Sequence, residues 1–291
     1  MSEPLIRFQN LSKRFKRNRV LDAVTLDLEP GERIALIGSN GAGKTTLIRC
    51  LLGEYTFDGG VIVDGLGARR ERTHVLSTIG FVPQLPPPLK MPVRQLVHFA
   101  AAICGSSAER MLDVARRLGL DVQSIAARPF NRLSGGMKQK LLIAIALGRD
   151  TRVLVLDEPA ANLDPEARQI FFQLLAERLE NTTMIISSHR LDEVAPLVNR
   201  VIEMDMGKIV LDDRVADESS LAALFAVCLV FSRADEAIAK TLTGWNFVAE
   251  EAAETTAWTG EVAAPDRLRF FGMLSRYVGL LSRIEMHETG D

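Results

Sequence analysis

The residues whose types and spacing have the clearest chemical use lie at Gly38–Thr45, which reads Gly-Ser-Asn-Gly-Ala-Gly-Lys-Thr. The order matches a pattern in which two glycines separated by four residues are followed by lysine and by serine or threonine. Glycines allow positive φ angles, so that backbone amide groups can approach an anion closely. The lysine can then reach the outer phosphates of a nucleotide, and the hydroxyl can hold Mg²⁺. The sequence therefore predicts a phosphate-binding loop in which Lys44 and Thr45 make these two contacts.

The segments on either side of this loop have the character that the motif requires. Arg33–Ile37 is a short apolar run, which is typical of a buried strand. Thr46–Leu52 is apolar at helical spacing and is followed by Gly53, a signal for the end of a helix. The order of strand, glycine-rich loop and helix distinguishes a phosphate-binding loop from a chance match in a turn.

Two adjacent carboxylates follow the apolar run Val153–Leu156, which predicts a buried strand. Open parallel sheets bind ligands at the carboxyl ends of their strands, so Asp157 and Glu158 lie where a site is expected. Asp157 suits a Mg²⁺ ligand, and Glu158 could polarise a water molecule. A helix N-cap is the alternative, but it accounts for one acid and not for an adjacent pair.

Two further predicted strands end in polar side chains. The first begins at Ile79 and ends at Gln84, and the second begins at Thr183 and ends at His189. A lone histidine is more often structural. The position of His189 at a strand end, in the same predicted sheet as the two carboxylates, favours a functional role.

Leu133–Gly136 provides a second potential anion site. Ser134 is a good N-cap for the predicted helix that contains Leu141–Leu147, and Gly135 and Gly136 expose backbone amides at its start. A Ser-Gly-Gly sequence on its own is a weak signal, because many loops contain it.

Phe15 is the one aromatic residue in the basic run Lys13–Arg19. This run has two interpretations that the sequence leaves open. It is either a solvated hairpin, or a hairpin whose aromatic face stacks on adenine.

The composition limits the class of protein. With 291 residues and a net charge of −2, the chain is long enough for a large and a small domain, and no basic field favours nucleic acid. Three cysteines and four histidines are scattered, so neither a disulfide framework nor a metal cluster is expected. The N-terminus lacks signal-peptide character, and the longest apolar run, Leu221–Phe231, is too short to span a bilayer. We expect a cytosolic protein that acts at a membrane only through partners.

In their order and spacing, these motifs resemble those of the ATPase subunit of an ABC transporter, over about residues 5–212. The set consists of Phe15, Gly38–Thr45, Gln84, the signature Leu133–Gly136, Leu156–Glu158, Asn162–Asp164 and His189. Other P-loop proteins, such as small GTPases, lack the signature. The resemblance implies an α/β fold of the P-loop NTPase, ABC ATPase type, with a mixed-sheet core and a helical subdomain at about residues 85–150.

The resemblance also implies a role for each motif, with ATP and Mg²⁺ as cofactors. Glu158 would orient or deprotonate the attacking water and His189 would sense the γ-phosphate, with Lys44 and Gln84 as the other catalytic residues. The implied Mg²⁺ ligands are Thr45, Gln84 and Asp157. The implied nucleotide contacts are Phe15, Gly38, Ser39, Asn40, Gly41, Ala42, Gly43, Lys44, Thr45, Thr46, Ser134, Gly135, Gly136 and Asp164. Tyrosine is common where this chain has Phe15, which can stack but cannot donate a hydrogen bond.

After about Arg214 the composition becomes alanine-rich and acidic, which predicts an ATPase domain at 1–214 and a small domain at 215–291. The predicted elements of the small domain are strand, helix, strand, strand, helix and strand, at Leu224–Phe231, Ala234–Leu242, Trp245–Glu250, Thr256–Val262, Pro265–Val278 and Leu280–His287. This βαββαβ order predicts an α+β, ferredoxin-like sandwich. The small domain either adds surface to the dimer, or it has a regulatory or partner-docking role.

The favoured function is an energy-coupling ATPase for a membrane exporter. Two copies would pair head to tail, with Ser134 and Gly136 reaching the γ-phosphate across the dimer and Asp164 linking the two sites. Permease subunits on other chains would hold the dimer peripherally on the inner face of the membrane, with the loop Leu85–Pro92 beneath a permease helix, and no nucleic acid is expected. A soluble ABC ATPase of translation or DNA repair, and an importer subunit, are the alternatives.

Overall fold

The computed structural model describes residues 3–179, 182–188, 191–214, 224–233, 235–252, 255–263 and 267–289. It divides into two compact units, one made of Met1–His189 with Arg200–Asp213 and the other of Arg190–Asn199 with Arg214–Asp291. The sequence predicted one continuous first domain up to residue 214, whereas Arg190–Asn199 groups with the second unit. The division into an ATPase domain at 1–214 and a small domain at 215–291 stays a prediction.

The helices and strands are numbered in chain order. They are β1 (Ile6–Phe15), β2 (Asn18–Leu28), β3 (Arg33–Ile37), α1 (Lys44–Leu51), β4 (Asp58–Val63), β5 (Leu66–Gly67), α2 (Arg72–Thr78), β6 (Ile79–Val82), α3 (Val93–Ile103), α4 (Ala108–Arg117), α5 (Gly135–Leu147), β7 (Val153–Asp157), α6 (Pro165–Ala176), β8 (Thr183–Ser187), α7 (Leu191–Val194), β9 (Arg200–Asp205), β10 (Lys208–Arg214), β11 (Leu224–Phe231), α8 (Glu236–Thr243), β12 (Val248–Ala252), β13 (Thr255–Ala263), α9 (Arg267–Leu274) and β14 (Leu281–Thr289).

A central sheet with the strand order β10-β9-β3-β8-β7-β6 forms the middle of the first unit. Strand β3 pairs in parallel with β8 and β9, and β7 pairs in parallel with β6 and β8. Every residue of β7 and β8 is buried, as expected for parallel strands that are covered on both faces. Because these strands run the same way, the ends of β3, β6, β7 and β8 meet at one edge of the sheet.

A second, antiparallel sheet has the order β2-β1-β4-β5. Helix α1 contacts strands of both sheets, and its Leu47 and Leu51 line a small apolar gap together with Phe8, Leu36 and Ile202. The apolar face of α1, predicted from its helical spacing, is therefore confirmed as core. Packing on both sides fixes the start of α1, and with it the glycine-rich loop that precedes the helix.

Helices α3, α4 and α5 form the helical part of the first unit. Ser107 caps α4 by accepting hydrogen bonds from the amides of Glu109 and Arg110. The sequence predicted a helical pattern from Val93 to about Ala127, which is too long. The pattern is interrupted at residues 104–107, and α4 ends before Gly119, whose φ of +72° is the left-handed conformation common after a helix.

The second unit contains an antiparallel sheet of order β12-β13-β11-β14. With the chain order βαββαβ, this is the ferredoxin-like topology that the sequence predicted. Phe231, Trp258 and Phe270 belong to one buried apolar cluster, and the ring of Phe270 stacks on that of Phe247. The strand predicted from Trp245 begins only at Val248, because a turn follows α8 there.

Across the part of the chain that the structure describes, we find no helix with the length and apolar character needed to cross a membrane.

Candidate active site

The loop between β3 and α1 holds three glycines in conformations that other residues rarely adopt. The φ angles are +139° at Gly38, +88° at Gly41 and +110° at Gly43. A Cβ on Gly38 would also lie 2.2 Å from the carbonyl oxygen of Met204, which is backbone and cannot easily move. The loop conformation therefore depends on glycine, as the motif predicted.

Lys44 begins α1 and folds back over this loop. Its ammonium group donates to the carbonyl oxygens of Gly38, at 2.6 Å, and Ser39, at 3.2 Å. The side chain is only 7% exposed, so its charge is held at one place beside the loop amides. A fixed cation next to the backbone amides of a glycine-rich loop is a suitable arrangement for a phosphate chain.

A cleft of about 180 Å³ opens beside the loop. It brings together the predicted phosphate-binding residues Ser39–Thr46, but not Gly38, with Gln84, two residues after β6, and Glu158, directly after β7. Its complete lining is Val20, Ser39, Asn40, Gly41, Ala42, Gly43, Lys44, Thr45, Thr46, Gln84 and Glu158. Residues that are distant in sequence but were all predicted to act on the nucleotide therefore line the same cleft.

Asp157 lies deeper, next to the start of α1. Its Oδ1 accepts a hydrogen bond of 3.3 Å from the Thr45 hydroxyl and one of 2.6 Å from the Ser187 hydroxyl. The carboxylate of Asp157, the hydroxyl of Thr45 and the amide oxygen of Gln84 are hard oxygen donors of the kind that Mg²⁺ prefers. The residues present therefore fit a magnesium ion.

Glu158 adopts a φ of +48°, an uncommon value for a residue with a side chain. Its amide donates to the Ser187 hydroxyl at 2.9 Å and to the Ser187 carbonyl at 3.3 Å. These bonds turn the chain sharply at the end of β7, so that Asp157 is buried beside α1 while Glu158 lines the cleft. A backbone conformation of this kind costs free energy and persists only when the surrounding contacts stabilise it.

Comparison with known proteins shows to which family this chain is related. The family model described as "ABC transporter" matches residues 21–161. The Nod factor export ATP-binding protein I of Paraburkholderia xenovorans is 34% identical in an alignment of 218 residues that covers 72% of this chain and 70% of the relative. The lantibiotic transport ATP-binding protein SrtF of Streptococcus pyogenes is 32% identical over 232 residues, which is 79% of this chain and 99% of the relative.

The chain belongs to the ABC transporter family, as an ATP-binding subunit. Subunits of this family are ATPases, so the chain is an enzyme that couples ATP hydrolysis to transport. A solved dimeric ATP-binding cassette, bound to ADP and Pi in a post-hydrolysis state, shares the fold. Its TM-score is 0.64 at 22% identity, over 73% of this chain and 99% of that one.

The ABC signature begins helix α5. The Ser134 hydroxyl accepts a hydrogen bond of 3.2 Å from the amide of Met137, which confirms Ser134 as the N-cap. A Cβ on Gly135 would meet nothing within 4 Å, so the backbone is open at this point. Ser134, Gly135 and Gly136 are not among the residues that line the 180 Å³ cleft.

Asp164, the last residue of the family's Asn162–Asp164 segment, caps helix α6 through the amide of Ala167. It also forms an ion pair of 2.8 Å with Lys140 of α5. The hydrogen bond from Lys140 holds the pKa of the Asp164 carboxyl below its ordinary value. This residue therefore ties α6 to the helix that carries the ABC signature.

Phe15 is 41% exposed at the tip of the β1–β2 hairpin. Its ring packs edge-on against Tyr55, with centroids 5.2 Å apart, and the Lys13 ammonium lies 4.8 Å from its centroid. The cleft is lined on this side by Val20 rather than by Phe15. Adenine stacking by Phe15 stays a prediction, and His189 lies outside the described residues.

Sequence reasoning missed three residues that shape this site. Val20 lines the cleft, Ser187 holds the backbone of Glu158 and the carboxylate of Asp157, and Gln139 donates to the carbonyl of Pro159. Ser187 at a strand end was the only one with a sequence signal, because it belongs to the strand that ends at His189.

Proposed function

We propose that this chain is the ATPase subunit of a membrane exporter and works as an ATP-dependent, head-to-tail homodimer with Mg²⁺. One observation carries the proposal. The cleft that contains Lys44 and Glu158 is lined by the phosphate-binding half of the site, whereas the open backbone at Gly135 starts a helix elsewhere in the same unit. A second copy can supply the missing anion-binding amides.

Within each site, different side chains of this chain have different roles. Lys44 and the loop amides would bind the phosphates, and Thr45, Gln84 and Asp157 would hold Mg²⁺, which compensates the phosphate charge when bound. Glu158, which lines the cleft, would orient or deprotonate the attacking water. Phosphoryl transfer depends mainly on such positioning and charge compensation.

The predicted contacts across the dimer complete the assignment. Ser134 and Gly136 of one copy would contact the γ-phosphate held by the other, Asp164 would lie near the junction, and Phe15 would stack on adenine. His189 would sense the γ-phosphate. Loss of that phosphate removes the link between the copies, which then separate, so hydrolysis acts as an order-and-release switch.

The test is Glu158→Gln, which keeps the shape of the side chain but removes its charge. We expect the purified variant to bind ATP, to lose nearly all turnover, and to sediment as a dimer with Mg²⁺ and ATP but as a monomer without nucleotide. Glu109→Gln, on the exposed side of α4, is the control and should behave as wild type. A Glu158→Gln variant that stays monomeric at saturating ATP, or that turns over normally, contradicts the proposal.

Exposed apolar side chains in the segments that follow Gln84 support docking to a permease. Leu85 is 74% exposed, and Phe99 and Ile103, four residues apart on α3, are 52% and 67% exposed. Large apolar side chains that are this exposed are candidates for an interaction site. The predicted docking loop Leu85–Pro92 directly follows Gln84, which lines the cleft, so a movement at the nucleotide could reach the permease.

Deletion of Pro86–Pro88 tests the docking proposal. We expect basal ATP hydrolysis by the isolated subunit to persist, because the deletion spares the cleft. Co-purification with the permease subunit, and transport, should be lost. Unchanged transport by the deletion variant would exclude this loop as the docking site.

The direction of transport is proposed from the relatives. The name of one relative includes "export" and that of another only "transport". On this basis we propose an exporter subunit, cytoplasmic and bound to the inner face of the membrane through its permease. Co-expression with a candidate permease, followed by purification from membranes and efflux assays in vesicles, tests both the partner and the direction. Recovery only in the soluble fraction, without the candidate permease, would contradict the proposed partner.

A further inference from the structure

Gln139 is a fully buried polar residue on α5, five residues after Ser134, with 0% of its surface exposed. Its Nε2 donates a hydrogen bond of 2.9 Å to the carbonyl oxygen of Pro159. Pro159 directly follows Glu158, the residue that lines the cleft. The bond therefore connects the helix that begins with the ABC signature to the backbone next to the proposed catalytic carboxylate.

The side-chain oxygen of Gln139 has an unusual environment. The Oε1 of Gln139 is buried, and none of the described residues donates a hydrogen bond to it. A buried acceptor without a donor costs free energy that an apolar side chain of similar size would not. The Pro159 carbonyl accepts only from a donor, so the amide nitrogen must face it.

Two further contacts join helix α5 to the loop that follows Glu158. Lys140, the next residue on α5, forms the 2.8 Å ion pair with Asp164. Gly136 approaches the loop so closely that a Cβ there would lie 3.1 Å from the carbonyl oxygen of Asn162. The start of α5 and the loop from Glu158 to Asp164 thus meet at three places, of which only the contact of Gln139 reaches the residue next to Glu158.

We propose that Gln139 is a positioning residue for ATP hydrolysis, which fixes the Glu158 backbone relative to the ABC signature through the Pro159 carbonyl. The proposal rests on the head-to-tail dimer proposed above. In that dimer, contact of the signature with the partner's nucleotide would move α5, and Gln139 would pass the movement to Glu158 of its own site. Closure of one site would thereby favour the hydrolytic geometry of the other.

Gln139→Met removes the donor and keeps the size of the side chain. We expect kcat to fall about ten- to a hundredfold, because Glu158 loses its fixed position. The Kd for ATP should change less than about twofold, because the phosphate-binding contacts remain. Gln123→Met, at an exposed turn residue, should leave both values unchanged.

Gln139→Glu provides a readout that a purely structural role would not give. The new carboxyl would be buried against a carbonyl oxygen, so its pKa would be raised, and only its protonated form could donate to Pro159. The kcat of this variant should therefore rise, relative to wild type, as the pH falls from about 8 to about 6. The profile of Gln123→Glu should run parallel to that of wild type.

Gln139→Met in the Glu158→Gln background separates failure of this inference from failure of the dimer. ATP-dependent dimerisation of the double variant, together with the kcat and pH effects, supports the inference. If Glu158→Gln dimerises but Gln139→Met retains wild-type kcat, the inference is wrong while the proposed function stands. If Gln139→Met does not fold, a Gln139→Glu profile parallel to that of wild type overturns the inference just as well.

Discussion

Glu203 lies at the end of β9, opposite Ile37 of β3, which directly precedes the glycine-rich loop. Burial raises the pKa of the Glu203 carboxyl above its ordinary value, and the carboxylate of Asp205 adds to the rise. A group whose pKa is raised by folding stabilises the fold fully below its ordinary pKa. That contribution is lost as the pH rises through the folded value. Ionisation of this carboxyl as the pH rises therefore weakens the fold next to the phosphate-binding loop.

Glu203→Gln should therefore raise the thermal midpoint of the nucleotide-free protein at about pH 7.5, by on the order of one or two degrees. At about pH 4 the difference should shrink, because the carboxyl is then largely neutral in the folded and the unfolded chain. Differential scanning calorimetry at both pH values measures this, with Glu109→Gln as the exposed control. A lower midpoint for Glu203→Gln at neutral pH would show that the carboxylate makes a stabilising contact instead.

Among individual residues, the sequence predicted those that belong to a motif of fixed order, such as Lys44 after three glycines and Glu158 after Asp157. It missed Ser187 and Gln139, because serine and glutamine are common and their partners are set by the fold. Ser187 meets Asp157 thirty residues earlier in the chain, and Gln139 meets Pro159 twenty residues later. No local pattern contains such a pairing.

Strand β9 is joined to its neighbours by one buried cation. Arg200 is 4% exposed and forms ion pairs of 2.7 Å with Glu32 and Asp212, and it also donates to the carbonyl of Asp27 at 2.8 Å. The pair with Asp212 uses two nitrogens and both carboxylate oxygens, the fork geometry specific to arginine. These bonds connect β9 with β10, with β2 and with the turn before β3.

Arg200→Met should destabilise the first unit by about 3–5 kcal/mol, because it removes the arginine that forms ion pairs with two acids, one of them largely buried. Arg152→Met is the matched control, since Arg152 forms its ion pair with Asp64 at the exposed surface. The control should cost about 0–1 kcal/mol. Urea unfolding followed by circular dichroism compares the two variants, and equal losses would contradict the importance given to Arg200.

Elements were predicted well where one strong pattern covers them and less well at their ends. The buried strands β7 and β8, predicted from their apolar runs, and the apolar face of α1 are all found. The helical pattern after Val93 continued past the real end of α4, since periodicity alone does not register a turn that keeps its apolar residues buried. Leu120 and Ile125 lie in that turn and are buried.

The whole molecule has two units, each with its own buried apolar cluster. The phosphate-binding cleft lies in the first unit. The only two tryptophans of the chain, Trp245 and Trp258, both belong to the second. Tryptophan fluorescence therefore reports on the ferredoxin-like unit, while the far-ultraviolet circular dichroism signal reports on the whole chain.

Saturating ATP without Mg²⁺ should stabilise the first unit by about 2.7 kcal/mol at a hundredfold excess over Kd. We expect the thermal transition followed by circular dichroism to move up, while the transition followed by tryptophan fluorescence stays in place. Lys44→Ala, which removes the cation of the cleft, should abolish the shift. An equal upward shift of both transitions would show that the two units unfold as one.

The central claim is that each hydrolytic site combines Lys44 of one copy with Ser134 of another. Its most direct test mixes two inactive variants, Lys44→Ala and Ser134→Arg, and measures ATP hydrolysis before and after mixing. If the sites form head to tail, each variant alone is inactive. The mixture should then recover at most about a quarter of wild-type turnover, because half of the dimers are mixed and each has one intact site of two. A mixture as inactive as its components, or a Ser134→Arg variant that hydrolyses ATP normally on its own, would contradict the claim.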